Sequence, residues 1–353
     1  MKISLQIFFL LFLNTAPSFA AEVVMHGSAQ HYIPLTHKNV EYPEEAKEIQ
    51  ALQYDLAAEF QEQAYQAIQR RLSQPQERRA QLNLDLPRKV QLGMANVPVL
   101  DQGMHNTCTT FAVTAALNAA LERGDYLSQL CLLQLGNYLE HHKLGKSGWD
   151  GIDFNTILMR IERYGVMRIA DQHHRGCGGS HLYPTYYFTP TLEMSPEEYR
   201  NHALFPLNQK IIWRFITKTQ HNGVNQPDAK FVQKIKTALY AKQRVIISAL
   251  MPRSDLGTMG ATGTYHYRDD TWVLTQDIAQ DVLHTKKISG HAMVITGYDD
   301  QATARDQAGI LHKGLFKLRN SWSALVGDWG DFYMSYDYAE ILVRAGVQIG
   351  VAS

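Results

Sequence analysis

The chain has 353 residues, of which 45% are hydrophobic and 19% are charged, and its 34 basic side chains balance its 34 acidic ones. This length allows one large domain, or two lobes with an appendage. Because the net charge is near zero, no bulk electrostatic attraction favours nucleic acid or an anionic membrane as a partner. No group of residues has the spacing of metal ligands, so we expect neither a metal nor another cofactor.

Residues 1–20 have the pattern of a secretory signal peptide. Lys2 provides a short positive region, Ile3 to Leu13 a largely apolar run, and Ser18-Phe19-Ala20 a small-x-small cleavage motif. The alternative is a membrane anchor, but the apolar run is too short to span a bilayer comfortably. The sequence therefore predicts a secreted protein that has no membrane association after signal cleavage.

Residues 21–90 are predicted to form a helical prosegment, either one helix or a helical hairpin. From Pro43 to Leu72, apolar residues recur every three to four positions, which is the spacing of an amphipathic helix. A shorter helical pattern follows at Glu77 to Leu82, whereas residues 22–42 are weakly patterned and predicted to be extended or poorly ordered. The pattern fits equally a solvated N-terminal extension and a segment that covers an active site until it is cut away.

The rest of the chain divides into a helical half and a β-rich half. Helical periodicity dominates from Thr109 to about Tyr164, and the pattern changes at Arg244, before the buried-strand run Val245 to Leu250. Four further strand candidates are Trp272–Thr275, His291–Tyr298, Gly314–Leu318 and Gly330–Tyr336. This order predicts an α+β protein with two lobes, residues 91–205 and 206–353, and a functional site in the cleft between them.

One stretch carries a candidate nucleophile. Cys108 directly follows Asn106 and Thr107, which are suitable helix-capping residues, and precedes a run of strong helix formers. We therefore expect Cys108 in the first turn of a helix, where the partial positive charge favours the nucleophilic thiolate. Gln102 lies six residues upstream on a glycine-containing loop, so its side-chain amide could point at the same reacting centre.

Two later residues supply what a thiol nucleophile needs. His291 opens an apolar strand and Asn320 follows another; alone, such a His is usually structural and such an Asn is usually a turn residue. Together with Cys108 they provide a base and a group that orients the base. Gln102 and the backbone N–H of Cys108 can then donate to a developing oxyanion. Because Asn320 adds no charge, the predicted resting pair is a thiolate and an imidazolium.

The order Gln, Cys, His, Asn and the motifs around these residues resemble the papain/cathepsin family of cysteine peptidases. The matching motifs are Gln102-Gly103-x-x-x-x-Cys108 with Phe111-Ala112, Gly290-His291-Ala292-Met293, Asn320-Ser321-Trp322 and Trp329-Gly330. The resemblance covers residues 95 to 340. It implies a papain-like two-lobed fold with a helical left lobe and a β-barrel-like right lobe, and peptidase activity on extended peptides.

A further loop resembles the family segment that pairs with the substrate backbone. The stretch Gly148-Trp149-Asp150-Gly151-Ile152 looks like Gly-Cys-Asn-Gly-Gly in the family. The resemblance therefore implies substrate-binding roles for Asp150, Gly151 and Ile152. Ile152 replaces a glycine, so we expect narrower subsites. Trp322 is added to this set, and it is also expected to shield the pair of His291 and Asn320.

The cysteines also differ from the family pattern. Trp149 and His105 replace two cysteines that are bonded to each other in the family, which indicates that one disulfide was lost as a unit. Three cysteines remain, and an odd count in an oxidising compartment suggests one pair and one free thiol. If Cys108 is the working thiol, Cys131 and Cys177 are the candidate pair; the alternative is that all three are free.

Two other departures concern the surroundings of the site. Thr109 stands where the family has Trp. His291 follows Cys108 by 183 residues (291 minus 108), against about 130–150 in papain-like chains. An insertion is therefore expected between them, with residues 190–230 and 252–285 as the candidates.

These observations predict a secreted cysteine peptidase, made as a zymogen, that hydrolyses peptide bonds through a thioester. Its expected partners are protein or peptide substrates and its own N-terminal prosegment, which would act as an intramolecular inhibitor, and we expect a monomer. One alternative is a papain-fold amidase or acyltransferase that uses the same residues on a non-peptide or cell-wall amide. Another is a non-enzymatic binding module, but such modules typically lose the Cys or the His, and this chain keeps both Cys108 and His291.

Overall fold

The computed structural model describes residues 23–37, 46–73, 86–204, 211–216, 220–221, 224–225, 229–252, 261–262 and 270–351. The predicted signal peptide, the predicted helical pattern at Glu77 to Leu82 and parts of both candidate insertions lie outside these residues. Within the described ranges, no helix is long and apolar enough to span a membrane.

The fold is α+β, as the sequence predicts, with five consecutive helices followed by a β-rich part. In chain order the elements are β1 (Val23–Pro34), β2 (Ala46–Leu56), α1 (Ala58–Ser73), β3 (Lys89–Gln91), α2 (Cys108–Leu121), α3 (Gln129–His141), α4 (Phe154–Tyr164), α5 (Ile169–Arg175), α6 (Pro196–His202), β4 (Ile211–Ile216), β5 (Gln220–His221), β6 (Val224–Asn225), α7 (Ala229–Tyr240), β7 (Arg244–Met251), β8 (Ala261–Thr262), β9 (Thr271–Trp272), α8 (Gln276–His284), β10 (Lys287–Asp306), β11 (Leu311–Arg319), β12 (Asp331–Ser335), α9 (Tyr336–Leu342) and β13 (Val343–Val351).

The left lobe is built around α2. Every residue from Cys108 to Ala119 is buried, which is the pattern of a helix enclosed on all sides. Helices α3 and α4 pack against it, and each begins at a side-chain N-cap. Ser128 accepts a hydrogen bond from the backbone N–H of Cys131, and Asp153 accepts one from that of Thr156. Local capping signals therefore fix where the helices around the nucleophile begin.

The right lobe is a mostly antiparallel sheet, eleven-stranded in the part of the chain that is described. Its order is β11-β12-β9-β8-β10-β7-β13-β4, and β2 and β3 also pair with β10. The long strand β10 is central to the site, because its register with β11 aligns Val294 with Arg319. This register brings His291, near the start of β10, close to Asn320, the residue after β11.

The N-terminal region is not the single helical unit that the sequence predicts. The predicted helix from Pro43 is wrong for Ala46–Leu56, which is strand β2, and helix α1 begins only at Ala58. β2 pairs with β1 on one side and with β10 on the other, so two ladders of backbone hydrogen bonds override the helical spacing. We call β1 and β2 together the N-terminal hairpin.

Candidate active site

Cys108 is the first residue of α2 and is completely buried. Burial raises the pKa of its thiol to about 11. Smaller effects act in the other direction: the backbone N–H of Ala292, the Thr109 hydroxyl and the first N–H groups of α2 all favour the thiolate. The Ala292 interaction places the sulfur next to the residue that follows His291, so the nucleophile of one lobe meets the base strand of the other.

The hydrogen bonds of Asn320 define the tautomer of His291. Asn320 Oδ1 accepts from the backbone N–H of Ser321 at 2.7 Å, which identifies this atom as the oxygen. His291 Nε2 lies 2.6 Å from the same oxygen and must therefore donate to it. In the neutral ring this leaves Nδ1 as a proton acceptor. Nδ1 is buried and makes no hydrogen bond to any described residue, so it is available to take a proton from the thiol.

The resting state in this structure differs from the predicted ion pair. Burial lowers the pKa of His291 to about 4, and the bond to Asn320 only partly opposes this shift. With the pKa of Cys108 raised by the same cause, both groups are uncharged near neutral pH. The physical reason is that both side chains are fully covered, and desolvation disfavours the charged form of each.

Trp322 packs against the imidazole ring of His291. Its ring stacks on that of His291, with centroids 4.4 Å apart and planes 29° from parallel. It is fully buried, and Trp272 and Phe332 pack against it in the right-lobe core. This position favours the shielding role expected for Trp322 over direct contact with substrate.

Both polar atoms of the Gln102 side-chain amide make hydrogen bonds, which fix the orientation of the amide. Oε1 accepts from the Ser321 hydroxyl at 2.8 Å. Nε2 donates to the backbone oxygen of His105 at 2.8 Å and to that of Gln50 at 3.0 Å. One N–H is therefore committed to the loop itself, and the other points at a carbonyl oxygen that belongs to a different segment, which is the contact expected of an oxyanion donor.

The carbonyl that accepts from Gln102 is that of Gln50, which lies in β2. β2 pairs with the first residues of β10, from Asp55 opposite Lys287 to Leu52 opposite Gly290, the residue before His291. Leu52 is 1% exposed and lies in the same apolar cluster as Cys108. The N-terminal hairpin therefore lies against the start of β10 and against the loop that carries Gln102.

The loop that resembles the substrate-pairing segment faces this strand. Gly151 has a φ of +95°, and a Cβ built there would lie 2.6 Å from Leu52 Cδ2 and 2.8 Å from Asn106 Nδ2. The Asp150 backbone oxygen accepts from Asn106 Nδ2 at 3.2 Å, and burial raises the pKa of the Asp150 carboxyl. Ile152 is 1% exposed and packs into the left-lobe core. Gly151 thus lies against the Leu52 side chain of β2.

His105 and Trp149, the two replacements for the absent cysteines, contact each other. Their ring centroids are 4.9 Å apart in an edge-to-face arrangement. His105 Nε2 also lies 3.0 Å from the backbone oxygen of Tyr186, and burial lowers its pKa. An aromatic contact therefore joins the two loops at these positions. The other two cysteines, Cys131 and Cys177, form a disulfide within the left lobe, and Cys108 is the free thiol.

Some residues of the site were not anticipated from the sequence. Gln50 and Leu52 contact Gln102 and Gly151, in a stretch that the sequence predicts as helical, so only the fold reveals their position. Ser321 orients Gln102; its place inside the Asn320-Ser321-Trp322 motif is the signal that could have identified it. No group of three or more potential metal ligands occurs among the residues that the structure describes.

Comparisons with known proteins give matches to solved structures alone. No family model matches the sequence, and no curated protein matches it significantly. The chain is similar to xylellain, a cysteine protease from Xylella fastidiosa, with 18% identity over 76% of this chain and 87% of that one and a TM-score of 0.49. It is similar to procathepsin B S9 from Trypanosoma congolense, with 12% identity over 79% of this chain and 81% of that one and a TM-score of 0.47. Digestive procathepsin L 3 from the larval midgut of Tenebrio molitor matches with 16% identity over 83% of this chain and 79% of that one and a TM-score of 0.43. These three solved structures are a cysteine protease and two procathepsins, and the motifs of this chain resemble the papain/cathepsin family.

Proposed function

We propose that the chain is a secreted cysteine peptidase, made as a zymogen, in which Cys108 is the nucleophile, His291 the base, Asn320 the orienting group and Gln102 an oxyanion donor. The observation that carries the proposal is the hydrogen bonding around His291. Its Nε2–H donates to Asn320 Oδ1, and its Nδ1 is buried and makes no hydrogen bond to a described residue. The next residue on the strand, Ala292, donates its backbone N–H to the Cys108 sulfur.

The residues support a two-step hydrolysis once the hairpin has left the cleft. His291 Nδ1 takes the thiol proton as the Cys108 sulfur attacks the substrate carbonyl. The oxyanion accepts hydrogen bonds from Gln102 Nε2 and the backbone N–H of Cys108. The protonated Nδ1 then gives its proton to the leaving amine, which leaves a thioester. Water next attacks the thioester while Nδ1 takes its proton, and the acid product and free thiol are released.

The position of β2 supports autoinhibition by the N-terminal segment. The Gln50 carbonyl accepts from the same Gln102 N–H that the oxyanion would use. Cys108 and His291 are both buried in this state, and desolvation favours the uncharged form of each. Blockage is therefore both steric and electrostatic. Secretion is supported by the signal-peptide pattern at residues 1–20 and by the Cys131–Cys177 disulfide, a bond typical of oxidising compartments.

The test compares three full-length proteins on a panel of fluorogenic dipeptide and longer peptide substrates. They are the wild type, a Leu52→Asp variant, and Leu52→Asp combined with Cys108→Ala. A carboxylate at position 52 cannot remain buried against Gly151 without a partner, so it should lift β2 from the cleft. We expect hydrolysis by Leu52→Asp well above that of the wild type, and a loss on the order of 10³-fold or more when Cys108 is removed.

Two outcomes would contradict the proposal. Hydrolysis that survives Cys108→Ala would show that the nucleophile is misassigned. Alkylation of Cys108 in Leu52→Asp without cleavage of any peptide would favour an amidase or acyltransferase acting on a non-peptide amide, which would use the same four residues.

A further inference from the structure

The hydroxyl of Tyr183 joins the two ends of the loop before the nucleophile. It donates to the backbone oxygen of Gln102 at 2.8 Å and lies 2.9 Å from Thr107 Oγ1. A tyrosine hydroxyl has one proton and a carbonyl can only accept, so that proton lies on Gln102 O and the Thr107 hydroxyl donates to the Tyr183 oxygen. One hydrogen-bonded chain therefore connects the residue before Cys108 to the residue that carries the oxyanion donor.

The side chain of Thr107 does not cap helix α2, although Thr107 is the residue just before it. Thr107 is the N-cap of α2, yet its side chain makes no capping hydrogen bond, and its backbone has a φ of −101° and a ψ of 12°. A capping threonine normally accepts from one of the first N–H groups of its helix. Here the Thr107 hydroxyl donates to Tyr183, and the backbone N–H groups of Cys108 and Thr109 favour the thiolate form of Cys108.

The ring of Tyr183 is fixed by both walls of the left lobe. It stacks on Trp149, with centroids 5.7 Å apart and planes 11° from parallel. It also meets Phe111, one turn after Cys108 on α2, edge to face at 4.9 Å. Burial raises the pKa of the Tyr183 hydroxyl well above the usual range, so Tyr183 keeps the proton that it donates to the Gln102 carbonyl near neutral pH. The hydroxyl is thus a stationary, permanently protonated bridge.

We propose that Tyr183 is a positioning residue for the oxyanion site: it holds Gln102 and the start of α2 at the separation that lets both donate to the same oxygen atom. Ser321 performs the corresponding task from the right lobe, since its backbone oxygen accepts from Gln102 N at 2.9 Å and its hydroxyl donates to Gln102 Oε1. Tyr183 acts from the left lobe, through its hydrogen bonds to Gln102 and Thr107. This inference rests on the proposed peptidase function.

The test uses Tyr183→Phe and Thr107→Val in the full-length chain that carries Leu52→Asp, with peptide hydrolysis as the assay. The matched control is Tyr199→Phe, which removes another left-lobe tyrosine hydroxyl that donates to a backbone oxygen, that of Gly165, at 3.3 Å. We expect kcat to fall about tenfold or more in both test variants with KM nearly unchanged, because a displaced oxyanion donor is felt in the transition state. The double variant Tyr183→Phe, Thr107→Val should lose no more than either single variant, because both remove the same bridge.

A second readout separates positioning from loss of structure. Iodoacetamide alkylation of Cys108 needs the thiol and His291 but no oxyanion site, so its rate should equal that of the control. Binding of a peptide aldehyde, whose adduct places an oxyanion at Gln102, should weaken in parallel with kcat. If both test variants match Tyr199→Phe in kcat, the positioning role is overturned while the peptidase function stands. If the Leu52→Asp parent itself hydrolyses no peptide, the proposed function fails, and the positioning role fails with it.

Discussion

The N-terminal hairpin and helix α1 are neighbours in sequence, but they are bound to the molecule in different ways. α1 contributes Phe60, Ala64 and Ile68 to the right-lobe core, each almost fully buried. The hairpin is held by the ladder from Leu52–Asp55 to β10, by the buried Leu52 side chain, and by a hydrogen bond from Gln102 to the Gln50 carbonyl. We infer from this difference that the stretch predicted as a single prosegment combines a structural helix with the proposed cover for the site.

The polar contacts of α1 agree with a permanent role. Gln61 is buried, and its side-chain amide donates to the backbone oxygens of Val282, Leu283 and Thr285 at the end of α8. These are orphan carbonyls of a helix C-terminus, so Gln61 serves as their cap. Arg71 forms ion pairs with Asp337 and Glu340 of α9. If α1 were removed together with the hairpin, two right-lobe helices would lose partners.

The largest effect is therefore expected from damage to α1. Phe60 is 2% exposed, and Phe60→Ala should lower the free energy of unfolding by about 3–5 kcal/mol through the cavity it leaves. Chemical denaturation measures this change, with Gln66→Ala on the exposed face of α1 as a control that should stay within about 0.5 kcal/mol of the wild type. Equal stability of the two variants would mean that α1 is a detachable part of the cover.

The next effect comes from the cover itself. Leu52→Asp should raise the rate of Cys108 alkylation by about tenfold or more, because an unpaired carboxylate cannot remain in the apolar cluster around the thiol. Leu52→Met keeps the volume and polarity of the side chain and should leave the rate near that of the wild type. The measurement is the loss of free thiol with time. A Leu52→Asp protein as unreactive as the wild type would show that something other than β2 protects Cys108.

The candidate catalytic residues have local signals in the sequence, whereas the strand that lies beside them has none. Cys108, His291 and Asn320 each lie in a short local motif, at a helix start or a strand end. The neighbouring residues therefore identify them as candidates from the sequence. β2 is a strand because it pairs along its length with β1 and, from Leu52 to Asp55, with the distant strand β10. Its apolar spacing fits a helix equally well, and only tertiary pairing decides between the two.

The ionisation state was equally out of reach from the sequence. The prediction of a thiolate–imidazolium pair follows from residue types, whereas burial of both side chains in the fold raises the pKa of Cys108 and lowers that of His291. Tyr183 is a further example. It lies far along the chain from Gln102 and Thr107 and has no motif of its own, so its role emerges only where the fold brings its hydroxyl between them.

A smaller, pH-dependent effect follows from the covered state. Burial lowers the pKa of His291 to about 4 from an ordinary 6.5 and lowers that of His31 on β1 as well. A lowered pKa means that the covered state binds protons less well than the open one. The contribution of these histidines to the stability of the covered state is therefore fully present above pH 6.5 and is lost as the pH falls toward 4. The raised pKa of Cys108 acts only above its ordinary value of 9.0, so it does not oppose this trend.

Hydrogen exchange measures the opening. Below pH 6.5, exchange of the β2 amides should accelerate severalfold relative to that of the β13 amides, after correction for the intrinsic pH dependence of exchange. His31→Ala removes one of the two groups and should make this acceleration less steep. A constant ratio of β2 to β13 exchange between neutral pH and the pKa of His291 would show that protonation of these histidines does not open the cover.

The smallest effect tests the tether between the hairpin and the catalytic loop. Lys47 Nζ lies 2.7 Å from Asp101 Oδ2, and both side chains are partly exposed. Such a pair contributes about 0.2–1 kcal/mol, so Lys47→Met should raise the alkylation rate of Cys108 by up to about fivefold at low salt and by less at high salt. Lys89→Met breaks a comparable pair with Asp299 on β10, away from the hairpin, and should not change the rate. If both variants accelerate alkylation equally, the change reflects general loosening, whereas a salt-dependent effect confined to Lys47 assigns the tether to the cover.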